Sequence, residues 1–469
     1  MLPLIGFWGL GLDMAGIGFE IRKILERDSY WSVIRAYGYA GMVSGGPWVL
    51  SILSIMMIGV LAVTLGVEQR EVNAFQICVT YLMAASLIWT GGAQLMFTRF
   101  VADRTYADDK AEVLPNLFGV LIVVMGGGFA WAAPFIFWFF EGPFVQQLLL
   151  LCNFVVLSGM WIGLIFLSGM KAYRRIVWTL AKGYLLGIGV GLAAAEWKLN
   201  GLLLGVLTGH SYLLFSFLHH IVREYPGSAL LKFDFLDRNR SFYSLFAVGT
   251  LYYLAVWVDK LIFWFIPYTS EAVIGPLRAS IIYDLPIFLA YLFILPGMAV
   301  FLVTMEADFA EQHERFYRAV REGDTLMHIE HRRDRMVYAA RQGIYEIFKV
   351  QGLTVVLCLL WGRDLLHAVG ISPLYIHLFY IDVVAVSVQV LLMAILNVLF
   401  YLDARREVLI ITACFFITNL LFTFATLQLG AEAFGYGFAV SVTVSAFLGL
   451  FILSRKFNRL EYETFMLQN

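Results

Sequence analysis

Apolar residues recur along this chain in blocks of twenty or more, parted by short polar stretches. A block of that length crosses a bilayer core of roughly 30 Å as a helix. The pattern predicts twelve spans, at about 37–66, 72–98, 114–140, 145–170, 177–195, 200–222, 243–266, 284–305, 348–369, 374–402, 407–428 and 432–454. Several contain proline or clustered glycine: Gly45-Gly46-Pro47, Gly126-Gly127-Gly128, Pro134, Pro286 and Pro296. Such interruptions predict bends or breaks whose freed backbone groups neighbours must satisfy. Gly183, Gly187 and Gly191 form a small-xxx-small ridge for helix packing. Two polar elements carry helical periodicity of their own. From Ile17 to Ile34 an apolar face opposes Glu20, Arg22, Lys23, Glu26 and Arg27, which predicts an amphipathic helix on the membrane surface. From 306 to 349 two amphipathic stretches flank Gly323-Asp324, which predicts a helical hairpin.

Charge orients these spans. Of the 33 Lys and Arg, 28 fall before the first span, in every second loop or after the last span, and only Arg70, Lys198, Arg278 and Arg363 fall in the alternate loops. That bias places both chain ends in the cytoplasm. The agreement of alternate loops supports the count of twelve, because one missed helix would invert every later loop. The expected organisation is a start-site extension at 1–13, a cytoplasmic amphipathic helix at 14–36, one six-helix bundle at 37–225 and a second at 226–469, with the cytoplasmic helical loop 306–349 inside it. Leu25-Glu26-Arg27-Asp28-Ser29-Tyr30-Trp31-Ser32 echoes Leu236-Asp237-Arg238-Asn239-Arg240-Ser241-Phe242-Tyr243-Ser244, with one residue inserted. Each copy precedes a set of six spans, so the halves read as parallel repeats around a central cavity. The fold class is an all-α polytopic membrane protein.

Composition agrees and removes alternatives. Hydrophobic residues make up 61% and charged residues 14% of the 469 positions, against about a quarter charged in soluble domains. A net charge of −1 argues against a nucleic-acid partner. Cys78, Cys152, Cys358 and Cys414 lie in apolar blocks without metal or redox spacing. No H-E-x-x-H, phosphate loop or G-x-S-x-G is present, so neither an enzyme, a metal centre nor a cofactor is expected. His313, His328 and His331 fall among Glu and Arg and read as a solvated face.

The candidate chemistry is charge inside spans. Asp259 and Lys260 interrupt the seventh span, Asp382 lies inside the tenth, and Asp284 opens the eighth. A charge facing lipid costs about 2.5–3.5 kcal/mol, so these side chains face a cavity or one another. They read either as a lining or coupling site for a polar substrate, or as structural pairs between helices. Adjacent helical residues diverge by about 100°, so Asp259 and Lys260 do not squarely face one partner. Gln94, His210 and Asn397, with Asn153, Gln389 and Asn419, add uncharged polarity. Arg22, Lys23, Arg315, Arg332 and Arg333 are candidates for docking a cytoplasmic partner. Aromatic residues are 16% of the chain. They serve interfacial belts first, though flat rings also suit the apolar faces of sugars.

The stretch Met14-Ala15-Gly16-Ile17-Gly18-Phe19-Glu20-Ile21-Arg22-Lys23-Ile24-Leu25, followed by Tyr37-Gly38-Tyr39-Ala40-Gly41 and Ser44-Gly45-Gly46-Pro47-Trp48, resembles the start of the PelG family. The first thirteen residues depart from that pattern, and Met14 is the expected start. The resemblance implies the superfamily of multidrug antiporters, lipid-linked oligosaccharide flippases and polysaccharide exporters. It implies a multi-pass place in the bacterial inner membrane and a substrate that is an N-acetylhexosamine-rich biofilm polysaccharide. Its implied partners are a cytoplasmic glycosyltransferase and membrane subunits, one sensing cyclic di-GMP, besides membrane lipids. The residues add a constraint. A pyrophosphate-linked substrate calls for several bases in the path, and Lys260 is the one base deep in a span, so an uncharged sugar chain is expected. The alternatives are a lipid-linked oligosaccharide flippase, a cation-coupled multidrug antiporter, a sugar–phosphate facilitator and a membrane-embedded glycosyltransferase.

Overall fold

The computed structural model describes residues 30–169, 173–225, 227, 229–238 and 240–466. Its helices are α1 (Tyr30–Thr64), α2 (Gln69–Tyr106), α3 (Val113–Leu121), α4 (Gly127–Phe139), α5 (Phe144–Gly169), α6 (Tyr173–Ala193), α7 (Lys198–Glu224) and α8 (Tyr243–Phe265). After the strands β1 (Glu271–Ile274) and β2 (Leu277–Ala279) come α9 (Ile281–Leu292), α10 (Leu295–Val303), α11 (Ala310–Glu322), α12 (Leu326–Ala368), α13 (Ile376–Tyr401), α14 (Arg405–Leu429) and α15 (Tyr436–Met466). Joined across their interruptions, these form twelve helical runs. Eleven are long and apolar enough to cross a membrane, and α1 adds the apolar stretch Leu50–Thr64. The chain is a polytopic all-α membrane protein. Residues 25–29 of the first copy of the internal echo, and 14–29 of the expected amphipathic helix, lie outside the described residues.

Packing divides the described chain into two compact units at Ile281/Ile282. One compact unit contains the described residues 46–281, the other 30–45 and 282–466. Glycine lets α8 pack closely on α2 within the first unit. A Cβ on Gly249 would lie 2.1 Å from the Gly91 carbonyl oxygen, and one on Gly91 would lie 2.3 Å from the Tyr253 ring. Backbone therefore meets backbone between α2 and α8. The ridge Gly183-Gly187-Gly191 does the same between α6 and α7: a Cβ on Gly205 would lie 2.5 Å from Gly191 Cα.

Two of the expected interruptions are present, one as a bulge and one as a break, while Gly45-Gly46-Pro47, Pro134 and Pro286 lie inside continuous helices. Between α3 and α4 the residues Ile122–Gly126 form a single π turn, and the Trp89 indole donates to the Val124 carbonyl at 2.9 Å. Glycines 127 and 128 let the indole approach this closely, since a Cβ on either would lie 3.2 or 3.1 Å from the ring. A second π turn, Thr304–Phe309, joins α10 to α11. Between α9 and α10 the helix stops at Leu292 and restarts at Leu295, with Pro296 in its first turn. Gln351 of α12 donates to the Ile294 carbonyl there at 3.3 Å. Gly297 lets it in, since a Cβ would fall 2.3 Å from the Gln351 amide.

The predicted hairpin is present, but it is not a separate element. Helix α11 continues the eighth run and α12 runs unbroken for 43 residues from the turn into the ninth span. Gly323 closes α11 with φ +70, a left-handed cap that favours glycine. Sequence periodicity did not foresee the β-hairpin β1–β2. It is antiparallel and is pinned to α2 where Tyr81 donates to the Arg278 carbonyl at 2.8 Å.

Candidate functional site

On α2, Ser86, Thr90 and Gln94 share one face because they are spaced four apart. The Gln94 amide donates to Thr90 Oγ1 at 2.5 Å, and its carbonyl oxygen accepts from the Tyr253 hydroxyl at 3.2 Å. The Trp161 indole donates to Ser86 Oγ at 3.0 Å. Gln94 is thus bound into a polar seam between α2, α5 and α8. Further along α8, Lys260 solves the divergence of adjacent side chains by folding back. Its Nζ donates to both Asp259 oxygens at 2.9 and 3.2 Å, and to the Val256 carbonyl at 3.0 Å. Both residues are at most 1% exposed. Their charges reach the interior as a pair, as burial demands. Aromatic rings cover this level: Tyr81 stacks on Trp264 at 4.4 Å, and Trp257 lies 6.1 Å from Trp264. The Trp257 indole N–H is buried and has no hydrogen-bond partner among the described residues.

His210 of α7 is buried in the same unit, edge-on to Tyr184 at 6.1 Å. Its Nδ1 also has no partner among the described residues. Asn153 of α5 donates to the Leu203 carbonyl at 3.2 Å, joining α5 to α7.

In the second unit the expected residues separate into levels. Asp382 is fully buried near one end of α13, where Gly435, with φ +85, approaches closely: a Cβ there would lie 3.2 Å from Asp382 Oδ1. Asn397 is fifteen residues further along α13, about 22 Å away. It donates to Glu306 Oε1 at 2.9 Å, and the Tyr401 hydroxyl donates to Glu306 Oε2 at 3.2 Å. Glu306 is 6% exposed and was not among the expected site residues. Its signal was present: it is the first acid after the apolar run Leu295–Met305. The π turn carries it inward. Next to it, His313 donates from Nε2 to the Tyr401 carbonyl at 3.0 Å and packs on Tyr317 at 4.6 Å. That half-buried setting corrects the solvated reading for His313; His331 is exposed. Asp284 is half-buried in the first turn of α9. The structure therefore brings Asp259 and Lys260 together and links Asn397 to an unforeseen acid.

Arg22 and Lys23 lie outside the described residues. Arg315 is bound to Glu311, Arg333 to Glu461 and Asp334, and Arg332 donates to His328 at 3.2 Å. Each of these three docking candidates is engaged within its own unit.

The loop after α7 is fastened to the start of α3 by a charged latch. Lys232 reaches Glu112 at 2.5 Å, Asn116 donates to Asp234 at 3.2 Å, and Arg240 lies 3.3 Å from Asp234. The hydrogen bond to Glu112 raises the Lys232 ammonium above its ordinary value. Burial opposes ionisation of Asp234. Hydrogen bonding with Asn116 and Glu112, then the charges of Arg240 and Lys232, overcome it and hold the carboxyl below the usual carboxylate range. Among the described residues no group of three His, Cys, Asp or Glu could hold a metal ion.

Residues 14–465 match the family model described as "PelG: Putative exopolysaccharide Exporter (EPS-E)". No curated protein is matched in sequence. Three solved structures share the fold. A transporter of the MOP superfamily from Pyrococcus furiosus, reported to have a binding pocket of reversed polarity, aligns with TM-score 0.62 and 14% identity over 96% of this chain and 99% of its own. A multidrug resistance MATE transporter of the same superfamily, outward-facing, gives 0.62 and 13% over 97% and 99%. An inward-facing one gives 0.59 and 12% over 95% and 98%.

Proposed function

The chain belongs to the PelG family of exopolysaccharide exporters, and on that premise we propose that it is the transporter subunit that moves a Pel-type polysaccharide across the bacterial inner membrane. Family and fold are those of a transporter, not of an enzyme. The polymer comes from a cytoplasmic glycosyltransferase, and membrane subunits, one sensing cyclic di-GMP, complete the complex. The observation that supports an uncharged sugar chain as cargo is the state of the one buried base. Among the described residues Lys260 is the only Lys or Arg buried in a span, and its ammonium is held by the Asp259 carboxylate. A pyrophosphate needs charge-assisted donors not already bound to an acid. Reconstituted vesicles test this with two substrates. The chain, with its partners, is expected to admit an uncharged N-acetylhexosamine oligomer and to leave a pyrophosphate-linked lipid oligosaccharide unflipped. Robust flipping of the second would overturn the cargo assignment.

Buried acids support a second reading, in which a cation gradient drives the same fold. Asp259, Asp382 and Glu306 are all at most 6% exposed. A cation-coupled antiporter would export small cationic drugs from cells expressing this chain alone, and uncouplers would stop it.

A further inference from the structure

We propose that the exposed face of α12 between Arg335 and Phe348 is a binding site for anionic phospholipid headgroups of the cytoplasmic leaflet. Depth is the first argument. The bond from Arg333 to Glu461 sets α12 level with α15, and Lys456 of α15 lies 3.8 Å from Glu407 at the start of α14. Counting at 1.5 Å per residue, Tyr338 falls level with Arg455 and Lys456. Independently, Gly343 packs on Thr304 and Met305, since a Cβ there would lie 3.2 and 2.5 Å from them; that puts Tyr338 level with Glu311. In this unit the apolar spans end at this level, on the side the charge bias assigns to the cytoplasm.

The second argument is the face itself. Arg335, Tyr338, Arg341, Tyr345 and Phe348 are all exposed and fall within one side of the helix. Tyr338, Tyr345 and Phe348 keep 68%, 55% and 59% exposure. Over ~20 Å the face runs from arginine through tyrosine to phenylalanine, the order of a headgroup layer passing into acyl chains. The opposite stripe, Met336, Ala340, Gly343 and Ile347, is buried in the protein.

The third argument is the availability of charge. Arg335 and Arg341 have no ion pair or hydrogen bond to any described residue. The exposed acid beside them, Asp334, is taken by Arg333 at 2.7 Å, and Lys349 is taken by Glu346 at 2.6 Å. Elsewhere on the hairpin, Arg315 is paired with Glu311, and Arg318 with Glu314 at 2.5 Å, along their own helix. Two uncommitted guanidiniums with tyrosines between them fit a phosphodiester anion that arrives from the bilayer.

The full chain in vesicles containing spin-labelled phosphatidylglycerol or phosphatidylcholine provides the test. The motionally restricted fraction is expected to favour phosphatidylglycerol. The preference should fall about fivefold for each of Arg335→Gln and Arg341→Gln, and Arg315→Gln should leave it unchanged. All three positions are exposed, and unchanged elution and melting confirm folding. Equal selection of the two lipids by the wild type would overturn the proposal, as would a double variant that selects like wild type. A photo-reactive residue at Tyr338 is expected to label lipid. Label appearing only in protein would assign the face to a partner chain instead.

Discussion

At the scale of the residue, the decisive fact is that Asp259 and Lys260 are paired with one another in the interior. Removing one partner of a buried pair leaves an uncompensated charge, which costs about 3–5 kcal/mol, whereas replacing both is much milder. Lys260→Met is therefore expected to lower thermal stability in detergent more than Asp259→Asn combined with Lys260→Met. Melting curves of the single and double variants check this, and a double that is worse than the single would show that the pair is not the governing interaction. The sequence made these two residues legible because charge in a span is rare. It did not reveal their pairing, because helical geometry points them apart and only the length of the lysine stem closes the gap. Glu306 was marked only as the first acid after an apolar run, and the π turn that carries it inward has no signature in the local composition. Outside the membrane, Asp234 gives a pH dependence. Its carboxyl is held below its unfolded value of 3.8, so the stability it lends the latch is complete above about that pH and is lost as pH falls through the folded value. Protease cleavage in the loop 225–242 is expected to rise on acidification below about pH 4, and Asp234→Asn should flatten that rise.

At the scale of the element, the Gly183 ridge and the interruptions at Gly126–Gly128 and Pro296 behaved as their spacing predicts, whereas Gly45-Gly46-Pro47, Pro134 and Pro286 lie inside continuous helices. Which glycines face which across two helices is not legible from spacing. Gly249 meets Gly91 backbone to backbone, and that contact holds α8 against α2. Gly249→Ala is expected to cost about 1–3 kcal/mol by overpacking, read as a lowered melting temperature, while Gly126→Ala should cost far less. A Cβ on Gly126 meets nothing within 4 Å. If the two variants melt alike, close packing is not what places α8. The β1–β2 hairpin was equally illegible. Seven strand residues are too few for periodicity to register, and its anchor on Tyr81 is nearly two hundred positions away in sequence.

At the scale of the whole molecule, twelve apolar runs specified a polytopic helical membrane protein, and the family adds that it is that of an exporter. What the sequence left open was how far the helices continue beyond the bilayer. Helix α12 crosses the headgroup level near Tyr338 and continues without interruption to Leu326, about 18 Å further. It contains no proline, and Gly343, Gly352 and Gly362 leave it unbroken. A helix of that kind is a lever arm. A 15° change of tilt in its membrane portion swings the apolar tip at Leu326 and Met327 sideways by about 5 Å, with no hinge to absorb the motion. A spin label at Met327 is expected to report displacements of that size as the protein cycles, and a fixed label position during turnover would show that the arm does not move. Whatever grips that tip is geared to the span behind it, so a clamp outside the bilayer becomes a brake on movement inside it.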